Sequence, residues 1–416
     1  MNVSQAENLS SGDNAPDGGD LFQRALQCHQ VGGIDEAAEL CRQVLHAEPR
    51  HADAAFLRGV IAYQMGDDAS AVELLRQAIA LAPGEGRFHS GLGVALTRLG
   101  RGEEAEGSLR RALALEDDAE SRNNLGNFLK DRGRIDEAIV EYRQALSQQP
   151  EYASAHYNLA AALWLKGELV QAAECFERAA ADDSLRTLAL PSLGRVLLAL
   201  GRGKEAENVL QRALALSPHD AALQSDLGDA LQSQRRGAEA AAAYRKSLES
   251  DPNSARTWYS AGCLEISREQ YAAAVLCLRE ALRIEPDWPQ AQHNLGQALF
   301  NLGEADEAVE LFRKAAERMA VELPWLSLAT SIPMSPRADN QTVLETRIAF
   351  ARRWLPQPRP AERFSHRRSP SDHPLRVGYV SSFFHRDNWM KPVWGLINHH
   401  DRRRFEVHLF GDMSAS

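Results

Sequence analysis

The sequence predicts an all-α solenoid of stacked helix pairs, followed by a short α/β fragment of strand, helix and strand. Three observations that share one period predict the solenoid. An alanine follows an acidic or polar turn at Ala37, Ala71, Ala105, Ala138, Ala172, Ala206, Ala240, Ala274 and Ala308, at intervals of 34 residues with a single interval of 33. Twelve residues before the alanine stands a small residue: Gly59, Gly93, Gly126, Ala160, Gly194, Gly228, Gly262 and Gly296. Twelve residues after it comes Pro49, Pro83, Pro150, Pro218, Pro252 or Pro286, with Asp117 and Ser184 in the slots that lack proline. A fixed period of this length marks a repeat architecture rather than an ordinary multidomain chain.

The chain has 416 residues, 44% hydrophobic and 25% charged, enough apolar content to bury a core. Lys and Arg number 47 against 57 Asp and Glu, a formal net charge of -10. That balance argues against nucleic acid as a partner. Residues 1–17 open the chain as a disordered leader. The first 20 residues hold four acids and no base, unlike a signal peptide or anchor. No apolar run reaches membrane-spanning length, so the expectation is a cytoplasmic protein off the membrane. The five cysteines, Cys28, Cys41, Cys175, Cys263 and Cys277, are odd in number and widely spread. They predict a reducing compartment, no metal site and no cofactor.

Residues 18–322 hold nine units. Each carries two stretches with apolar residues three and four apart, as in LGVALTRLG followed by EEAEGSLRRALAL, the spacing of two amphipathic helices. Small residues let the pair approach closely, and proline stops the second helix. One pair cannot cover its own apolar face, so neighbouring pairs stack. The 33-residue interval falls between Ala112 and Gly126, because both registers continue outside it. An altered turn between units is expected there.

These offsets resemble the tetratricopeptide repeat, whose aromatic slot is filled here by Tyr142, Phe176, Tyr244 and Phe312 and elsewhere mostly by leucine. The resemblance implies a superhelix whose first helices line a concave groove for a polypeptide partner. Two residues before the small-residue register lie Leu57, Gly91, Asn124, Asn158, Ser192, Asp226, Ser260 and Asn294. In long-repeat O-GlcNAc transferases this position carries an asparagine ladder that grips a substrate backbone. A side-chain amide offers one acceptor and two donors, the complement of a peptide group. Asn124, Asn158 and Asn294 are the matching residues, expected to bind substrate peptide.

Residues 323–374 form a connector punctuated by proline, with one helix expected from Asn340 to Trp354 and then an arginine-rich linker from Arg352 to Arg368. Residues 375–416 contain two apolar runs of strand length, LRVGYV and FEVHLF, around a helical segment with Val393, Leu396 and Ile397. Strand, helix and strand open a parallel α/β domain, whose ligands sit beyond the carboxyl ends of the strands, here at Ser381 to Asp387. The run Arg376 to Ser381, with Asp401, Arg404, Phe405, Glu406 and Val407, resembles the start of the catalytic region in bacterial O-GlcNAc transferases of the SPINDLY-like type. That resemblance implies a GT-B glycosyltransferase-like fold and UDP-GlcNAc as donor to serine or threonine in a full-length relative. Phe383 and Asp387 stand where the family has an acid and a histidine, which leaves His385 as the catalytic candidate. With 42 residues of that region, the chain is expected to be a truncated and inactive member. A non-enzymatic adaptor that mediates protein–protein interaction is the alternative.

Overall fold

The structure, a computed structural model, describes residues 18–354, 375–380 and 405–410. The chain divides into two compact units, Met1–Arg347 and Ile348–Ser416.

Among the described residues the first unit holds nine helix pairs in chain order. They are α1 (Gly18–Gln30) with α2 (Ile34–Ala47), α3 (Ala52–Gln64) with α4 (Asp68–Leu81), and α5 (Gly86–Arg98) with α6 (Gly102–Leu115). Next come α7 (Ala119–Asp131) with α8 (Ile135–Gln148), α9 (Ala153–Lys166) with α10 (Leu169–Ala179), and α11 (Arg186–Ala199) with α12 (Gly203–Leu216). The series closes with α13 (Ala221–Ser233) and α14 (Gly237–Ser250), α15 (Ala255–Ser267) and α16 (Tyr271–Ile284), α17 (Pro289–Asn301) and α18 (Ala305–Arg318). Helices of this length are marginal alone in water, so packing must hold them.

The registers explain that packing. Every alanine of the first register, from Ala37 to Ala308, is fully buried. The small residue of each first helix faces the leucine or aromatic slot of its partner helix. A Cβ added to Gly93 would stand 2.5 Å from Leu109, and one added to Gly126 would stand 2.5 Å from the Tyr142 ring. Tyr142 is itself fully buried. Its hydroxyl donates to Asn127 Oδ1 at 2.8 Å, which removes the cost of hiding a phenol.

The turn inside each pair follows a further register, seven residues after the small one. Glycine occupies it with positive φ at Gly32, Gly66, Gly100, Gly133, Gly167, Gly201 and Gly303, while Arg235 and Glu269 hold the same left-handed conformation. The next residue caps the second helix. Where it is arginine, it reaches the glutamate three residues on and, in two units, one in the preceding pair. Arg134 pairs with Glu137 at 2.6 Å and Glu106 at 2.9 Å, and Arg236 with Glu239 at 2.6 Å and Glu207 at 2.7 Å.

Between pairs the usual turn has four residues, as at 48–51 and 82–85. The turn from α6 to α7 has three, Glu116 to Asp118, and absorbs the 33-residue interval without disturbing either helix. First helices of successive pairs touch one another, α3 with α5, α5 with α7, α7 with α9 and α11 with α13, whereas each second helix packs on the first helices of its own and the next pair. First helices therefore lie on the inner side of the curve.

Where the sequence predicts one connector helix, the described residues hold two. Before α20 (Asn340–Trp354) comes α19 (Glu322–Ser331), which packs on α18 and ends in a 3-10 turn at Ile332–Met334. Pro324 sits in the first turn of α19, where its missing amide has no helical partner to lose. Leu328 and Ile332 join Leu295 and Phe312 in the last core cluster. In the second unit β1 (Leu375–Val380) and β2 (Phe405–Phe410) pair in parallel, in register from Leu375 opposite Phe405 to Val380 opposite Phe410. The helical segment expected between them, the loop with His385, the arginine-rich linker after Trp354 and the leader 1–17 lie outside the described residues.

Candidate functional site

The inner wall of the solenoid carries the asparagines singled out by sequence. Each donates its amide to a side chain on the first helix of the preceding unit. Asn124 Nδ2 donates to Ser90 Oγ at 3.1 Å, Asn158 Nδ2 to Asn123 Oδ1 at 2.9 Å, and Asn294 Nδ2 to Tyr259 OH at 3.1 Å. The acceptors share one position, three residues before the small residue of their own unit. Asn294 also lies 3.2 Å from Cys263 Sγ, an extra contact for its amide.

These bonds join neighbouring units. Among the described residues, no hydrogen bond reaches the side-chain carbonyl of any of the three, and all three side chains are half-buried. Asn124 and Asn158 retain an amide hydrogen and a side-chain carbonyl outside these bonds, which a peptide group can use.

Asn124 and Asn158 share a groove. A cavity of about 450 Å³ is lined by Tyr63, Val94, Asn124, Asn127, Lys130 and Asn158. A second, of about 620 Å³, shares Tyr63, Val94 and Asn124 with it and extends toward α3. Asn294 lines neither cavity, so the structure brings two of the three ladder residues into one place.

The remaining positions of that register do other work. Leu57 is a core residue and Asp226 is wholly buried. Asp226 accepts from Arg195 Nε at 2.7 Å and Arg256 Nη2 at 2.6 Å. The same Arg256 reaches Asp229 at 3.0 Å, and Tyr244 OH donates to Asp229 at 2.7 Å. Burial pushes the Asp229 carboxyl above the usual carboxylate range, partly opposed by Tyr244 and Arg256.

This charged network was not visible as a unit in the sequence, because its members come from three repeats. One local signal existed. The acceptor position before Asp226 is Pro191, inside α11, and proline has no side-chain acceptor to offer an asparagine. Ser192, beside it, bonds back to its own helix at Leu188 O, 3.1 Å away.

The cysteines are free thiols. Burial raises Cys41 to about 11 and also raises Cys175, Cys263 and Cys277. Those four are packing residues and not activated nucleophiles. No helix of the described residues is long and apolar enough to cross a membrane.

Family models agree with this geometry. Those described as TPR repeat match residues 126–167 and 262–303, and those described as tetratricopeptide repeat match 30–86, 62–123, 192–255 and 289–319. The chain belongs to the tetratricopeptide-repeat family. Among solved structures, this tetratricopeptide-repeat chain is similar to PilW, a type IV pilus biogenesis factor, with 23% identity over 50% of this chain and 98% of that one and a TM-score of 0.46. It is similar to YrrB, described as a TPR protein with an unusual peptide-binding site, with 28% identity over 44% and 96% and a TM-score of 0.38. A third is the Cut9–Hcn1 hetero-tetramer of the APC/C, with 15% identity over 76% of each chain and a TM-score of 0.48. No curated protein matches the chain.

Proposed function

We propose that this tetratricopeptide-repeat protein is a scaffold that holds an extended polypeptide in the groove of its second to fifth units, with Asn124 and Asn158 gripping the backbone. One observation carries the reading: both amides face one groove and each keeps an unused acceptor and donor. Adjacent packed helices lie about 8–10 Å apart, and an extended chain advances about 3.3 Å per residue. Successive asparagines would thus meet a peptide group about every third residue. Binding of that kind depends little on side-chain identity.

The test is fluorescence anisotropy of a labelled neutral peptide of repeated Gly-Ala-Ser, titrated with the protein. Saturable binding that is lost in Asn124→Asp/Asn158→Asp supports the reading, and absence of binding by the wild type overturns it.

We propose further that residues 375–416 open a GT-B-like lobe of the O-GlcNAc transferase type, with the solenoid as its substrate recruiter. The RVGYVS run after the repeats supports this, as does the parallel pairing of β1 and β2. Parallel strands need a crossover of a dozen residues or more, and 381–404 supplies it. His385 would stand in the connection leaving β1, on the ligand side of such a sheet. Incubation of the protein with UDP-GlcNAc and a serine-rich acceptor tests that assignment. Transfer that disappears in His385→Ala would support the transferase reading. The pure adaptor remains the alternative that absence of transfer favours.

A further inference from the structure

The third unit departs from the ladder in a way that shapes its groove. At the asparagine position it has Gly91, and at the preceding acceptor position stands Phe56, which cannot accept an amide. A Cβ on Gly91 would lie 3.1 Å from the Phe56 ring and 3.3 Å from Leu75. With no side chain there, the wall opens into the cavity of about 620 Å³, whose floor is Phe56, Val60, Leu75, Gly91 and Val94. Phe56 stacks on Phe88 with ring centroids 4.8 Å apart.

The rim has the opposite chemistry. It is formed by the three-residue turn from α6 to α7 and the start of α7, and contributes Glu116, Asp118 and Glu120. Asp118 is committed to capping α7 through the Ser121 amide at 2.9 Å. Glu116 and Glu120 are exposed, and neither forms an ion pair among the described residues. The one cation that lines the cavity among the described residues, Arg87, is already held by Asp53 at 2.5 Å and Glu85 at 3.3 Å. The mouth is therefore net acidic above an apolar floor.

We infer that this pocket selects the polypeptide in the groove, taking an aromatic side chain that is flanked by lysine or arginine. The inference rests on the groove reading for the track of the backbone; Asn124 lines this pocket too, but the ring and cation contacts it proposes are to Phe56, Leu75, Glu116 and Glu120. A volume of this size lies in the range of ligand pockets and exceeds what an alanine or serine side chain can fill. The ring would bury against Phe56 and Leu75, and the flanking cation would meet Glu116 and Glu120 across the rim.

The experiment uses the full chain and three labelled guests in the neutral Gly-Ala-Ser host: Lys-Trp-Lys, Lys-Ala-Lys and Glu-Trp-Glu. Lys-Trp-Lys is expected to bind about tenfold or more tighter than either of the others. Gly91→Asn, which restores a side chain at the opening, should erase the preference for tryptophan over alanine. Glu116→Lys/Glu120→Lys changes only exposed residues and should erase the preference for lysine over glutamate while folding normally. If the host binds but Lys-Trp-Lys gains nothing, the pocket is refuted and the groove stands. If the host fails while Lys-Trp-Lys binds and loses its advantage in both variants, the asparagine grip is refuted and the pocket stands. Equal binding of Lys-Trp-Lys by the wild type and both variants overturns the pocket outright.

Discussion

Replacing Asn158 separates two roles that the structure assigns to the same side chain. Its amide donates to Asn123 Oδ1 at 2.9 Å, and Asn123 is only 4% exposed. Asn158→Ala leaves that carbonyl buried without its partner, a loss of about 1–3 kcal/mol. Asn158→Asp has a different outcome. The Asn123 amide can turn over and donate its own Nδ2 to the new carboxylate, so the join between α7 and α9 survives and stability should stay within about 1 kcal/mol of wild type. What the aspartate lacks is the donor facing the groove. Urea denaturation followed by circular dichroism reads the first effect, and anisotropy with the neutral Gly-Ala-Ser peptide reads the second. The expected pattern is a lowered midpoint for Asn158→Ala alone and weakened peptide binding for both variants. An unchanged midpoint for Asn158→Ala would refute the inter-unit bond, and full binding by Asn158→Asp would refute the grip.

Other expectations follow from the same geometry. Gly107→Ala in α6 meets nothing within 4 Å and should stabilise by about 1 kcal/mol through helix propensity. The same change at Gly126 drives a methyl into the Tyr142 ring and should destabilise by about 1–2 kcal/mol, so two shifts of the same sign in thermal melts would contradict the close-approach account. Arg235→Gly and Glu269→Gly relieve left-handed backbones at φ 62 and 60, and each should raise stability by up to about 1 kcal/mol, read as a higher unfolding midpoint. His293 has a buried Nδ1 with no partner, and burial holds its imidazole below the ordinary value of 6.5. The unfolded chain then binds the proton more readily, so stability is unaffected above pH 6.5 and falls as pH drops below it. Unfolding midpoints measured from pH 8 to 5 should show that loss, and His293→Phe should remove it.

Most of the fold was legible because steric demands repeat. A glycine that must face Leu109 or Tyr142 can be little else, and an alanine at full burial in every unit leaves its mark every 34 residues. The left-handed register was present in the sequence as well, in Gly66, Gly100 and their equivalents, but Arg235 and Glu269 interrupt it. The asparagines were legible by residue type, whereas their partners were not. Asn124 meets Ser90 and Asn158 meets Asn123 across a distance in sequence that depends on how far one helix pair is offset from the next. Asp226 read as one more groove residue, yet two arginines from different units enclose it. The Gly91 pocket is formed by a missing side chain and a shortened turn, and a gap leaves no residue to notice.

The turn at 116–118 has three residues and carries the single 33-residue interval, whereas the six-residue turn at 180–185 leaves the 34-residue interval intact, because α10 is shorter than the other second helices, at 11 residues. The one departure from the 34-residue period thus falls at a joint and not inside a helix. Slippage of one codon inside α7 would rotate every later side chain by about 100°, whereas the same slip in the turn before it leaves α7 whole. The six-residue joint is correspondingly the place where a reporter or an additional segment could be grafted with the neighbouring helix faces kept in phase.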